Sequence, residues 1–196
     1  TSGFVWDNDW HHVVVTGDGT NVKFYIDGVE ANGSEGVGSL ATSDITSPLS
    51  LADFTHTSQL ATLEGGLQNV TIYDTTLTPS EISSLYTFST TYTGAVELPT
   101  PIAYHDLVNT SGKDGIGNLD FTTVSNCHVT QYGSPDGSSN CLSMSHNGYM
   151  NLSANPTSLG YSDAYTFNIW AKFDSLRTGL WGNWVMNWRG TSATPK

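Results

Sequence analysis

Residues 10–28 read WHHVVVTGDGTNVKFYIDG, and the fold is decided in this stretch. Trp10 to Thr16 is a run of aromatic and β-branched residues, the composition of a strand. Gly17-Asp18-Gly19-Thr20 is an Asp-Gly turn of the kind that joins antiparallel strands. From Asn21 to Asp27 the side chains alternate, with Val22, Phe24 and Ile26 on one side and Lys23, Tyr25 and Asp27 on the other. Asp27-Gly28 then offers a second turn. A hairpin, followed at once by the start of another, predicts an antiparallel sheet.

Strand signals continue outward from this stretch. They fall at Leu49–Ala52, Gly66–Tyr73, Ala103–Asp106, Asp120–Val124, His128–Tyr132, Asn140–Met144, Tyr149–Leu152, Tyr165–Phe173 and Trp184–Arg189. One helix interrupts them. Thr78-Pro79-Ser80-Glu81 supplies an N-cap, a proline at the first helical position and a glutamate that closes a capping box. Ile82 and Leu85 give this helix an apolar edge, and it should end near Tyr86. Residues 87–102 hold Pro99 and Pro101 without periodicity and read as a linker between two strand-rich halves, 1–86 and 103–196. The halves are not repeats of one another.

Composition narrows the partners. Charged residues are 12% of the 196-residue chain, about half the usual share, while aromatics at 11% are ample for a core. The net charge is −12. Twelve of the acidic side chains lie in residues 1–98, where Lys23 is the one basic residue. Such a field repels phosphate backbones and anionic lipid, and is compatible with cations and neutral glycans. No run approaches the ~18 apolar residues of a membrane span, so membrane insertion is not expected. Neither an initiator Met nor a signal peptide is present, so the chain reads as a piece of a longer or processed protein.

Cys127 and Cys141, fourteen residues apart in a Ser/Gly-rich segment, read as a disulfide across a hairpin, a link that contributes about 3 kcal/mol in the chain-entropy picture. The alternative is two unpaired thiols. Sequons at Asn32, Asn69, Asn109 and Asn151 are no more than a Ser/Thr-rich sequence produces by chance.

The first half resembles the C-terminal half of a laminin-G-like domain of the concanavalin A-like lectin/glucanase superfamily. The matching features are Trp10–Thr16 (WHHVVVT), Val22–Gly28 (VKFYIDG), Ser47–Leu51 (SPLSL), Gly65–Tyr73 (GGLQNVTIY) and Leu77–Tyr86 (LTPSEISSLY). The second half resembles the N-terminal half of such a domain, through Ala103-Tyr104, the Gly/Asp-rich SGKDGIGN at Ser111–Asn118, YMNL at Tyr149–Leu152 and YTFNIWAKF at Tyr165–Phe173. The order is therefore inverted. Either the chain is a window cut from tandem domains, completed by neighbouring copies in one variant, or it is a circular permutant whose halves pack as one sandwich through the linker. The resemblance implies an all-β, antiparallel two-sheet jelly roll of about twelve strands with one short helix.

Candidate sites follow from residue type. His11 and His12 invite a metal reading, but neighbours on a strand point to opposite faces and cannot chelate one ion together. Trp181, Trp184 and Trp188 form an aromatic cluster. Trp181, flanked by glycines, with Asn183, Asn187 and Arg189 could bind a sugar, or the tryptophans could be core. Asp106, Asp114, Asn118 and Asp120 offer the oxygen ligands Ca²⁺ prefers, and the resemblance implies Ca²⁺ in such a loop; the alternative is a solvated turn. The Glu-x-Asp-x-(x)-Glu spacing of the superfamily's glucanases is missing, as is a Gly-x-Ser-x-Gly nucleophile motif. The expected role is a non-catalytic carbohydrate-recognition or adhesion module of an extracellular or particle-surface protein, weak alone and strengthened by repetition. The rival is a structural spacer or decoration in a fibre, cell wall or virus-like shell, contacting only neighbouring copies.

Overall fold

The computed structural model describes residues 7–31, 49–51, 55–56, 59–60, 63–88, 97–108, 111–117, 119–130, 135, 140–153, 164–174 and 186–187. Its strands are β1 (Trp10–Asp18), β2 (Val22–Ile26), β3 (Val29–Glu30), β4 (Ser50–Leu51), β5 (Thr55–His56), β6 (Gln59–Leu60), β7 (Gly65–Tyr73), β8 (Ala103–His105), β9 (Phe121–Thr130), β10 (Cys141–Leu152), β11 (Ala164–Phe173) and β12 (Met186–Asn187). Among the described residues there is one helix, α1 (Pro79–Phe88), which follows β7.

The opening stretch folds as its turns dictate. Asp18 accepts from the backbone N–H groups of Thr20 (2.8 Å) and Asn21 (2.6 Å), closing the β1–β2 turn. Asp27 and Gly28 both have positive φ, 52° and 77°. That is the two-residue hairpin loop in which glycine is favoured and an acidic residue tolerated. A side chain at position 28 would also press on Tyr86 and Ser83 of α1 at 3.3–3.4 Å.

All described pairings are antiparallel. The main sheet runs β12-β4-β10-β7-β11-β1-β2-β3, with β8 beside β7 and β9 beside β10; β5 and β6 form a separate pair. Strands of the two halves alternate in it. β11 from the second half lies between β1 and β7 from the first, and pairs with β1 over nine positions from Trp10↔Lys172 to Asp18↔Ala164. β10 pairs with β7 through Leu142↔Leu67, then with β4 through Met150↔Leu51. This open antiparallel sheet with its short helix is consistent with a β-sandwich. The main core joins Val13, Val15, Leu67, Val70 and Ile72 to Leu142, Met150, Leu152, Phe167, Ile169 and Phe173.

Two expected breaks are absent. Ser125-Asn126 and the segment around Gly148 carry turn residues, yet β9 and β10 run through them. The register between the strands shifts between Met144 and Tyr149, and Asn126 has φ 49°, so the extra residues are absorbed as a bulge. The strand expected at Trp184–Arg189 is described over Met186–Asn187, opposite Leu51 and Ser50.

The helix forms on its cap. Thr78 N–H donates to Glu81 Oε2 at 2.6 Å, and Glu81 N–H donates back to Thr78 Oγ1 at 3.3 Å, the reciprocal capping box. Ile82, fully buried, and Leu85 pack with Val14, Tyr25, Tyr73 and Leu77. This second cluster covers the face of the sheet opposite the main core. Its demand for Tyr25 settles the alternation of β2: Tyr25 is buried, and Phe24 on the other side is 40% exposed.

The disulfide expectation is corrected. No disulfide joins Cys127 and Cys141. The ladder pairs Cys127 with Met144 and Cys141 with Thr130. The two cysteines are thus three positions out of step, roughly 10 Å along the strands, beyond the ~7 Å between Cα atoms that a disulfide can span. Cys127 Sγ lies 3.1 Å from Met144 Sδ, and burial pushes its thiol up to about 11.

Candidate functional site

A polar and aromatic band lies on the sheet face that carries α1. It is built by pairing: His12 of β1 stands opposite Trp170 of β11, and Trp170 stands opposite Gln68 of β7. One row thus reads His12–Trp170–Gln68 across three strands. All three are buried, at 0%, 5% and 3% exposure. The next row places Val14 opposite Asn168, and Asn168 opposite Thr71.

A bulge makes this band possible. Between Asn168↔Thr71 and Trp170↔Gln68, Asn69 and Val70 face Ile169 alone, and Asn69 has φ 52°. Residues 68 and 71 would lie on opposite faces of a regular strand. The extra residue puts Gln68 and Thr71 on the band and keeps Leu67, Val70 and Ile72 in the core. Tyr104 of β8 steadies the bulge by donating its hydroxyl to Asn69 Oδ1 at 3.0 Å.

Hydrogen bonding fixes the chemistry of the band. His12 Nε2 donates to Asn168 Oδ1, and Asn168 Nδ2 donates to Thr71 Oγ1 at 3.4 Å and to the Asn69 carbonyl at 3.5 Å. With Nε2 as the donor, the other ring nitrogen of a neutral imidazole is an acceptor. Burial pushes His12 down to about 4, against an opposing hydrogen bond from Asn168 and the charge of Asp27, so the ring is neutral at physiological pH. Among the described residues, His12 Nδ1 and Gln68 Oε1 are buried without a partner. Two unsatisfied acceptors therefore flank one indole. Tyr86 of α1 stacks on that indole at 5.8 Å and approaches the His12 ring at 5.9 Å, so the helix roofs the row.

The acidic loop is organised by its own backbone. Asp114 Oδ1 accepts from Tyr104 N–H (2.9 Å) and Ile116 N–H (3.0 Å), and Oδ2 accepts from Gly117 N–H (3.0 Å) and Leu119 N–H (3.2 Å). A carboxylate has about four acceptor sites, and here all are taken. Asp120 accepts from Asp114 N–H at 3.0 Å and from Lys113 Nζ. Asp106 accepts from Val108 N–H in its own turn at 3.3 Å. The loop draws Asp114 and Asp120 together; Asn118 lies outside the described residues. Among the described residues no group of three or more His, Cys, Asp or Glu side chains is arranged to hold a metal ion.

Trp181, Asn183 and Arg189 also lie outside the described residues. Asn187 is placed by its backbone alone, opposite Ser50. His11 and His12 do face opposite ways. His11 is held between Asp27 (Nδ1 to Oδ2, 2.8 Å) and Asp7 (Nε2 to Oδ1, 3.0 Å). The sequence reading missed Gln68, Asn168 and Trp170 as site residues, because their convergence depends on strand register and on a bulge. Of the row, the sequence reading singled out His12 alone, as one of two histidines on opposite faces of a strand.

Residues 1–83 match the model of a laminin G family described as belonging to the concanavalin A-like lectin/glucanases superfamily. No curated protein and no solved structure gives a significant match to the chain.

Proposed function

We propose that this chain, whose residues 1–83 match a family model of the concanavalin A-like lectin/glucanases superfamily, is a non-catalytic recognition module for neutral, hydroxyl-rich glycans. On this reading residues 1–86 and 103–196 make one domain in permuted order, displayed on an extracellular or particle surface. The observation that carries the ligand class is the His12–Trp170–Gln68 row. Its two buried acceptors meet no donor among the described residues, and a sugar supplies hydroxyl donors together with an apolar face that suits an indole. Unsatisfied buried acceptors are costly, so a hydroxylated ligand gains by meeting them. Tyr86 is the group that must swing aside. The surface charge points the same way, since an excess of carboxylates discourages anionic ligands. No helix of the described residues is long and apolar enough to cross a membrane.

The test is a glycan array probed with multivalent protein, with Ca²⁺ and with chelator, on wild type, Gln68→Ala and Trp181→Ala. Binding abolished by Gln68→Ala, with unchanged circular dichroism, supports the row as the site. Loss in Trp181→Ala alone moves the site to the Trp181, Asn183, Asn187, Arg189 cluster. Binding that vanishes with chelator in all proteins shows a calcium role. No binding under any condition favours the spacer reading.

A further inference from the structure

We propose that Asp7, His11 and Asp27 form a pH-dependent latch that holds the segment leading into β1 against the β2–β3 turn. Both ring nitrogens of His11 face carboxylate oxygens, at 2.8 and 3.0 Å. An ionised carboxylate only accepts hydrogen bonds, and a neutral imidazole has a single N–H. The arrangement is therefore complete only when His11 is the imidazolium. When the ring loses a proton, one nitrogen lone pair is left facing a carboxylate, and one arm of the latch is repelled.

The two arms are unequal. Asp27 sits in a tight turn, and its Oδ1 also accepts from His12 N–H at 2.9 Å, while the backbone N–H of Asp27 donates to the His12 carbonyl at 2.9 Å. Asp7 is exposed and is tied to the fold by His11 and by the N–H of Asp9, at 2.9 Å. Deprotonation thus releases the Asp7 arm. The groups acting on His11 are these two carboxylates. Across from it on β11 stands Ala171, and Lys172, opposite Trp10, belongs to the other face. Burial pushes His11 down, but the hydrogen bonds and charges of Asp27 and Asp7 outweigh it, and the ring ends above its ordinary value. Asp7 is lowered, chiefly by its hydrogen bond to His11. The latch is closed from the acid side, where Asp7 ionises, up to the raised value of His11, and it opens above that.

The consequence reaches the helix. The Asp27-Gly28 turn that His11 grips is the one against Tyr86 and Ser83 of α1, so the charge on His11 bears on the turn beneath the helix that roofs the His12–Trp170–Gln68 row.

The experiment is an NMR titration of the ¹⁵N-labelled chain from pH 5 to 9, following the His11 ring and the backbone order of residues 7–9. The expected result is a His11 midpoint above the ordinary ~6.5, with residues 7–9 ordered below it and mobile above it. Asp7→Asn, at an exposed position that leaves the fold intact, should lower the midpoint and leave residues 7–9 mobile throughout. A midpoint at or below ~6.5 in the wild type, or equal order of residues 7–9 at pH 5.5 and 8.5, overturns the latch. Neither readout depends on whether the chain binds glycan.

Discussion

His11 and His12 are adjacent in the chain and titrate in opposite directions, because one faces two carboxylates and the other a packed aromatic band. His11, raised, contributes stability that is present below its unfolded value near 6.5 and lost as the pH rises through its folded value. His12, lowered to about 4, acts the other way. Below pH ~6.5 the unfolded chain takes up a proton that the fold refuses until about pH 4, so stability falls over that window by up to about 3 kcal/mol. Urea denaturation at a series of pH values should show this decline, and His12→Gln should flatten it. Asp114 is the residue on which its loop depends. Asp114→Ala leaves four backbone N–H groups to find other partners and should destabilise by about 2 kcal/mol in the same assay. The cysteines give a further check: alkylation of the denatured chain without reductant should modify both Cys127 and Cys141. At this scale the sequence told which way a side chain points along a strand, as for His11 and His12. It did not tell what stands opposite. The four amides that Asp114 gathers were not legible, because a carboxylate in a Gly-rich loop has the same composition whether it meets a cation, amides or both.

Among elements, α1 was the most legible, since Thr78, Pro79 and Glu81 carry its start signal within four residues. Thr78→Ala should cost about 1 kcal/mol. Ile82→Ala, which opens a hole in the cluster between α1 and the sheet, should cost 2–5 kcal/mol, about what large-to-small core changes produce. The β2–β3 turn was equally plain from Asp27-Gly28, whose positive φ angles the turn type requires. The bulges were not. In GGLQNVTIY the core residues Leu67, Val70 and Ile72 do not alternate, and no propensity marks Asn69 as the inserted position. Yet that insertion places Gln68 and Thr71 on the band beside Trp170. The same blindness split β9 and β10 into four expected strands, because the Asn and Gly residues that mark turns also fill bulges. The cysteine register was lost for the same reason, since a spacing of fourteen residues fixes no pairing.

For the molecule as a whole, the central feature is that, among the described residues, strands of the two halves alternate in one sheet. β11 lies between β1 and β7, and the main core takes side chains from both segments. The resemblances of residues 10–86 and 103–173 to opposite ends of one domain type were visible in sequence. Which strands meet was not, because the β1–β11 pair joins residues far apart in the chain, from Trp10↔Lys172 to Asp18↔Ala164. The most direct measurement is to make residues 1–90 and 97–196 as separate chains and mix them. Interleaved halves predict that each alone lacks cooperative unfolding, and that an equimolar mixture sediments as a 1:1 complex with the far-ultraviolet spectrum and single transition of the intact chain. Two fragments that fold independently and stay apart when mixed would contradict it.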